Sequence, residues 1–178
     1  MPTYVAFLRA INLGARRKFP KDAIKAATEA AGGRHVETYI NTGNVRLTHS
    51  ARSVTKVRQA LEEAYAEAAG FEVPTVVFTT AELASLVERA EELNAEHDPS
   101  GQHYVTLYAD PPPKAAVEAA HALDHDGEVC LVHGRAAHAI LAGNIHSSRL
   151  LASKEFQALG QGTARTVKVL RTVVEKWC

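Results

Sequence analysis

The chain has 178 residues and a mass of 19.2 kDa, with 46% hydrophobic and 22% charged residues, which suits one globular unit or two small ones. Its apolar content is enough for a real core and no apolar run approaches the ~20 residues of a membrane-spanning helix, so disordered and helical-membrane classes are set aside. The 20 Lys+Arg balance 20 Asp+Glu overall but not along the chain: residues 1–58 hold 11 basic and 3 acidic side chains (+8), 59–128 hold 2 and 15 (−13), and 129–178 hold 7 and 2 (+5).

Tyr4 to Leu8 is a near-continuous apolar run of strand length, the pattern of a strand buried on both faces. It follows Met-Pro-Thr directly, without a basic segment leading into a helical apolar one, so a cytoplasmic protein is expected. Asn12-Leu13-Gly14 and a basic loop, Arg16-Arg17-Lys18, lead to Pro20 and a helix with Ile24, Ala27 and Ala31 inward, closed by Gly32-Gly33. Val36 to Asn41 and Val45 to Thr48 flank Thr42-Gly43-Asn44 and read as a hairpin. Ser53 can cap a helix bearing Val57, Leu61 and Tyr65, Gly70 stops it, and Pro74 to Phe78 is a further strand. The order is β-α-β-β-α-β.

Thr80 opens a helix with Leu83, Leu86, Val87, Ala90 and Leu93 on one face, and Asn94 to Gln102, containing Pro99 and Gly101, reads as a polar connector. The pattern then repeats. His103 to Ala109 is a strand, Pro111-Pro112-Pro113 turns into a helix, and Asp126-Gly127 breaks it. Glu128–Val132 and Ala136–Leu141 form a hairpin, Ser147 to Leu159 a helix, and Thr163–Arg165 a last extended piece. A final helix puts Val167, Leu170, Val173, Val174 and Trp177 on one side. The fold expected is α+β: two ferredoxin-like halves, 1–80 and 103–178, joined by a helix and connector at 81–102, with the terminal helix belonging to the second half.

The string Tyr4-Val5-Ala6-Phe7-Leu8-Arg9-Ala10-Ile11-Asn12-Leu13-Gly14, followed by Thr38-Tyr39-Ile40-Asn41-Thr42-Gly43-Asn44-Val45, resembles the bacterial family called domain of unknown function 1697. That family opens Y-V-A-L-L-R-G-I-N-V-G and carries a T-Y-I-Q-S-G-N-V hairpin. Phe71-Glu72-Val73-Pro74, Asp110-Pro111-Pro112, Ser148-Arg149-Leu150 and Thr163-Ala164-Arg165 extend the likeness over nearly the whole chain. It implies two ferredoxin-like halves and no assigned activity. Ala10 stands where the family usually has Gly, and Thr166-Val167-Lys168 where many members have N-W-N.

Arg9 ends a buried strand, Asn12 lies in the following loop, and Tyr39 and Asn44 flank a glycine turn, so these residues are expected at one strand-end cleft. With Ser148 and Arg149 at a helix start, and Arg165, they compose a candidate site for a small anionic or phosphate-bearing ligand between the halves. The alternative is a nucleic-acid or protein interaction module using the basic terminal segments, and a salt-dependent affinity would mark it. A sheet reading single strands would stack bases on exposed aromatics, and its central strands offer only Tyr4 with Val45, Arg46, Leu47 and Thr48.

Nine histidines raise the question of a metal. His121 and His125 are an i, i+4 pair beside Asp124 and Asp126, but no third ligand falls at a zinc-like spacing, so no metal is expected. His133, His138 and His146 read as surface or hairpin residues. No cofactor is expected either, since Gly160-Gln161-Gly162 is a lone G-x-G with no buried strand before it. Cys130 and Cys178 form neither a disulfide framework nor a C-x-x-C pair, and no nucleophile motif declares an enzyme.

Overall fold

A computed structural model describes residues 1–97, 102–124 and 127–178, which form two compact units: Met1–Ala84 with Val173–Cys178, and Ser85–Thr172. The expected residues Pro99, Gly101, His125 and Asp126 lie outside the described residues.

The first unit runs β1 (Thr3–Leu8), α1 (Lys21–Ala30), β2 (Arg34–Tyr39), β3 (Asn44–Thr48), α2 (Val54–Ala69) and β4 (Thr75–Thr79). Its strands form one antiparallel sheet in the order β2-β3-β1-β4, the ferredoxin-like arrangement. The continuous apolar run of β1 has its reason in this position. Tyr4, Ala6 and Leu8 pack with Val45, Leu47 and Val77 against Ile24, Ala27, Val57, Leu61 and Tyr65 of the two helices. On the opposite face Val5 and Phe7 are buried as well, Phe7 meeting Phe78 edge-on at 6.2 Å. Local chemistry sets the helix ends: Ser53 Oγ accepts from the Lys56 amide, and Gly70 closes α2 with φ 76°.

The helix α3 (Thr80–His97) begins at a reciprocal cap, with Glu82 accepting from the amide and hydroxyl of Thr79 while the Glu82 amide donates to that hydroxyl. It continues through Asn94–His97, residues expected in a connector. The first unit's boundary falls inside this helix.

The second unit contains β5 (His103–Leu107), α4 (Lys114–His121), β6 (Val129–His133), β7 (Ala136–Ile140), a 3-10 turn (Ile145–Ser147), α5 (Arg149–Ala152), α6 (Lys154–Gln157) and β8 (Thr163–Thr166). Its sheet order, β6-β7-β5-β8, repeats that of the first, again with antiparallel pairs throughout. The helix expected over Ser147–Leu159 is broken because two serines interrupt it. Ser148 and Ser153 adopt extended backbone and act as N-caps, their hydroxyls accepting from the amides of Leu151 and Phe156 at 3.1 Å each. Leu150, Phe156 and Leu159 still share one core with Ala137, Ala139 and Tyr108. Gly162 has a packing role: a Cβ there would lie 2.5 Å from the Leu107 carbonyl oxygen, so the lone G-x-G brings β8 close to β5.

The last helix, α7 (Val167–Trp177), buries Val167, Leu170, Val173 and Trp177, with Val174 half-buried. The sequence pattern places the whole helix in the second half, whereas its end, Val173–Cys178, groups with the first unit. There the Trp177 indole N–H donates to Glu37 at 3.1 Å and the ring meets Tyr39 edge-on at 6.5 Å. Among the described residues no helix is long and apolar enough to cross a membrane.

Candidate functional site

The end of β1 is held on both sides. The Leu8 amide donates to Gly43 of the β2–β3 turn at 2.8 Å, and the Arg9 amide to Pro74 at 2.9 Å. Beyond it the chain makes tight turns through left-handed backbone at Ala10 (φ 56°), Asn12 (54°), Gly14 (62°) and Arg17 (55°), and three of these are not glycine. Side chains hold that conformation. Asn12 Oδ1 accepts from the Phe19 amide at 2.9 Å, while its Nδ2 donates to the carbonyls of Phe19 at 3.1 Å and Asn41 at 2.8 Å. Arg17 donates through Nε to Ala10 O and through Nη2 to Glu72 O, both at 2.6 Å, with its guanidinium 4.5 Å from the Phe71 ring centre.

These two staples leave a short stretch presented to solvent: Leu13, which is 61% exposed, then Gly14, Ala15, Arg16 and Lys18. Helix α1 starts directly behind it. Its N-cap is Pro20, which supplies no side-chain hydrogen bond, and the first intrahelical bond is that of the Ile24 amide to Pro20 O. The amides of Lys21, Asp22 and Ala23 therefore precede any helical acceptor, as at every helix start. Loop, helix start and hairpin turn together enclose a surface depression of about 650 Å³ lined by Asn12, Gly14, Lys18, Pro20, Lys21, Asp22 and Asn41. Lys18 and Lys21 make it basic; Asp22 opposes them.

The turn across from the loop is equally constrained. Ile40, a β-branched residue, has φ 51°, and Gly43 has φ 80° with space for no side chain: a Cβ there would lie 2.7 Å from that of Leu8. Asn44 is fully buried in β3 and donates to Tyr39 O at 2.9 Å and Thr42 Oγ1 at 3.1 Å, closing the turn it follows. Tyr39 is half-buried, with the Lys176 ammonium 5.7 Å from its ring centre.

Arg9, Asn12, Tyr39 and Asn44 lie at one end of the first sheet, and Asn12 and Asn44 serve the backbone rather than an open cleft. Ser148, Arg149 and Arg165 belong to the second unit. The start of α5 does hold an anion there, and it is the chain's own: Glu128 Oε2 accepts from Ser148 Oγ at 3.1 Å and from the Leu150 amide at 2.9 Å. Arg149 is exposed beside it. Arg165 is only 8% exposed, donates to Thr163 Oγ1 at 2.8 Å and Ala164 O at 2.9 Å, and burial lowers its pKa to about 10. Lys21 and Asn41 also line the depression, and for Lys21 the sequence carries a signal, basic residues on both sides of a proline that begins a helix.

Among the described residues no group of three or more His, Cys, Asp or Glu could hold a metal ion. His121 has another task, its Nε2 accepting from the Val132 amide at 2.8 Å. Burial raises the Cys130 thiol to about 11, far from the range of an activated nucleophile.

Two ferredoxin-like units, the first with a long basic loop stapled beside its hairpin turn, define the class of protein. Residues 1–138 match the family described as "Protein of unknown function (DUF1697)", and the chain belongs to that family. Its fold is similar to that of the conserved bacterial protein SP0830 from Streptococcus pneumoniae, with a TM-score of 0.76 and 18% identity, covering 99% of this chain and 98% of that one. No curated protein matches the chain.

Proposed function

We propose that the protein binds a small anionic, phosphate-bearing ligand on the first unit, at the depression between the β1–α1 loop, the start of α1 and the β2–β3 turn. The observation that carries this reading is the meeting of an α1 start without a side-chain cap with Lys18 and Lys21 in a depression whose rim is stapled by Asn12. Helix-start amides and two ammonium groups favour an anion, and a rim already fixed by hydrogen bonds loses little freedom when the ligand arrives. Arg9 and Arg16 add positive charge at the same end of the sheet. Asp22, on the same lining, weakens the field.

Thermal melts in inorganic phosphate, pyrophosphate and AMP test it. The midpoint should rise with ligand concentration, by the equivalent of about 2.7 kcal/mol at a hundred times Kd. The double variant Lys18→Ala/Lys21→Ala should fold and lose most of the rise, while Arg149→Ala should keep it. Identical melts of the wild type in all three would overturn the proposal.

A further inference from the structure

His138, which the sequence places on a surface or in a hairpin, lies on the hairpin strand β7 and is only 1% exposed, within a polar chain built into the second unit. Arg171 Nε donates to Glu91 Oε1 at 2.5 Å, and Asn94 Nδ2 to Glu91 Oε2 at 3.5 Å. Asn94 Oδ1 lies 2.7 Å from His103 Nδ1, and His103 Nε2 lies 3.1 Å from His138 Nδ1. The roles along this chain follow from Asn94. Its Oδ1 can only accept, so His103 carries its proton on Nδ1 and offers a bare Nε2. His138 must then donate from Nδ1, which leaves its own Nε2 as a lone pair, buried and without a hydrogen-bond partner among the described residues. The two rings meet nearly edge-on, with centres 5.3 Å apart.

We propose that the His103–His138 pair is an acid-sensitive latch that opens the second unit while the first stays folded. Neither ring can take a proton without damage to the chain. On His138 a new Nε2–H would be buried with no acceptor. On His103 it would face the Nδ1–H of His138, placing two donors 3.1 Å apart where a hydrogen bond had been.

The surrounding charges do not relieve this. On α3, Arg89 and His97 oppose a second positive charge and Glu91 favours it, but Glu91 is engaged by Arg171 of α7. On β6, His133 is a further opposing group. On β8, Arg165 faces Val105 in the same register position as His138 on the other side of β5. Burial accordingly lowers His103 to about 4 and His138 to about 3, from an ordinary 6.5. The unfolded chain therefore binds protons that the folded unit refuses, and stability present above about pH 6.5 is lost as pH falls toward 4.

Hydrogen exchange of the full chain, corrected for the intrinsic pH dependence, reads this unit by unit. Between about pH 7 and pH 4 the amides of β5 and β7 should lose at least about tenfold more protection than those of β1 and β3. The double variant His103→Leu/His138→Leu, which matches neighbours Val105, Leu107 and Ile140, should abolish that difference. Should the variant fail to fold, NMR titration of both rings in the wild type decides. Rings that stay neutral until protection is lost support the latch, and rings that titrate near pH 6.5 in the folded protein overturn it. Protection lost equally in both sheets, unchanged down to pH 4, or still lost in the folded double variant would also overturn it.

Discussion

The two units share a strand order and even its boundary hydrogen bonds, yet they treat the same end of the sheet differently. In the first, the amide just inside the end of β1, Leu8, donates to the turn residue Gly43; in the second, Tyr108 donates to Arg135 of the β6–β7 turn at 2.9 Å. At the opposite end His49 donates to Pro2 and Leu141 to Gln102, again as counterparts. After β5 the chain passes through Asp110-Pro111-Pro112-Pro113 directly into α4, whereas after β1 it makes a basic excursion of Arg9 to Pro20 before α1. Both ends use an arginine to hold strand-end carbonyls: Arg17 donates to Ala10 and Glu72, and Arg135 to Ala109 at 3.0 Å. The fold itself therefore does not demand the long loop. Beside β1 the first unit carries non-glycine left-handed backbone, exposed cations and a depression, and backbone held away from its preferred region is where a function is best sought.

The largest test of this contrast is Trp177→Ala. The indole is buried against Tyr39 and hydrogen-bonded to Glu37, so its loss should cost about 3 kcal/mol or more. Hydrogen exchange should show the opening on β2 and β3 of the first unit and leave β6 and β7 unmoved. Equal loosening of both hairpins would mean that the end of α7 is not specific to the first.

A pair of matched glycine substitutions comes next. Gly43→Ala forces a methyl to within 2.7 Å of Leu8 Cβ and 2.9 Å of Ile11 Cδ1 at φ 80°, so about 2 to 3 kcal/mol of destabilisation is expected. The glycine of the second hairpin turn, Gly134, has φ 57° and nothing within 4 Å of such a methyl, and Gly134→Ala should cost only about 1 kcal/mol. Denaturant midpoints measure both. Equal costs would show that the turn beside the basic loop is no more tightly packed than its counterpart.

The repeated architecture was legible because each buried strand is an apolar run and each break carries Gly or Pro, as at Gly32-Gly33, Gly70 and Pro111-Pro112-Pro113. The segment Ser147–Leu159 misled because its apolar spacing is helical while Ser148 and Ser153 turn their hydroxyls to successive helix starts, a choice made locally and invisible to periodicity. Asn94 reads as a connector residue because the partner of its side chain, His103 on β5, lies nine positions further on. Likewise His138 is acceptable in a buried strand only because of a partner 35 residues away. At the candidate site, convergence of Arg9, Asn12, Tyr39 and Asn44 could be inferred from strand order. That Asn12 and Asn44 spend their amides on backbone could not, since it depends on the carbonyls that the turns expose.

The smallest expected effect bears most directly on the loop. Ala10 has φ 56°, in the left-handed region that costs an L-residue roughly 1 to 2 kcal/mol and glycine almost nothing, and the opening motif of the family usually has Gly there. Ala10→Gly removes that strain but gives the unfolded chain more freedom, a loss of about 0.4 to 1 kcal/mol. The balance is a gain of about 0.5 kcal/mol, because the position is already held by Arg17, which donates to its carbonyl, and the backbone has no other path to take. The corresponding stretch after β5 enters its helix through three prolines, and Asp110→Gly there relieves no left-handed residue, so it should be neutral or slightly destabilising. Urea midpoints of the two variants check the opposite signs. A fall in the midpoint on Ala10→Gly would mean that the methyl contributes packing worth more than the strain, and that the loop is stiffened at this position rather than merely tolerated.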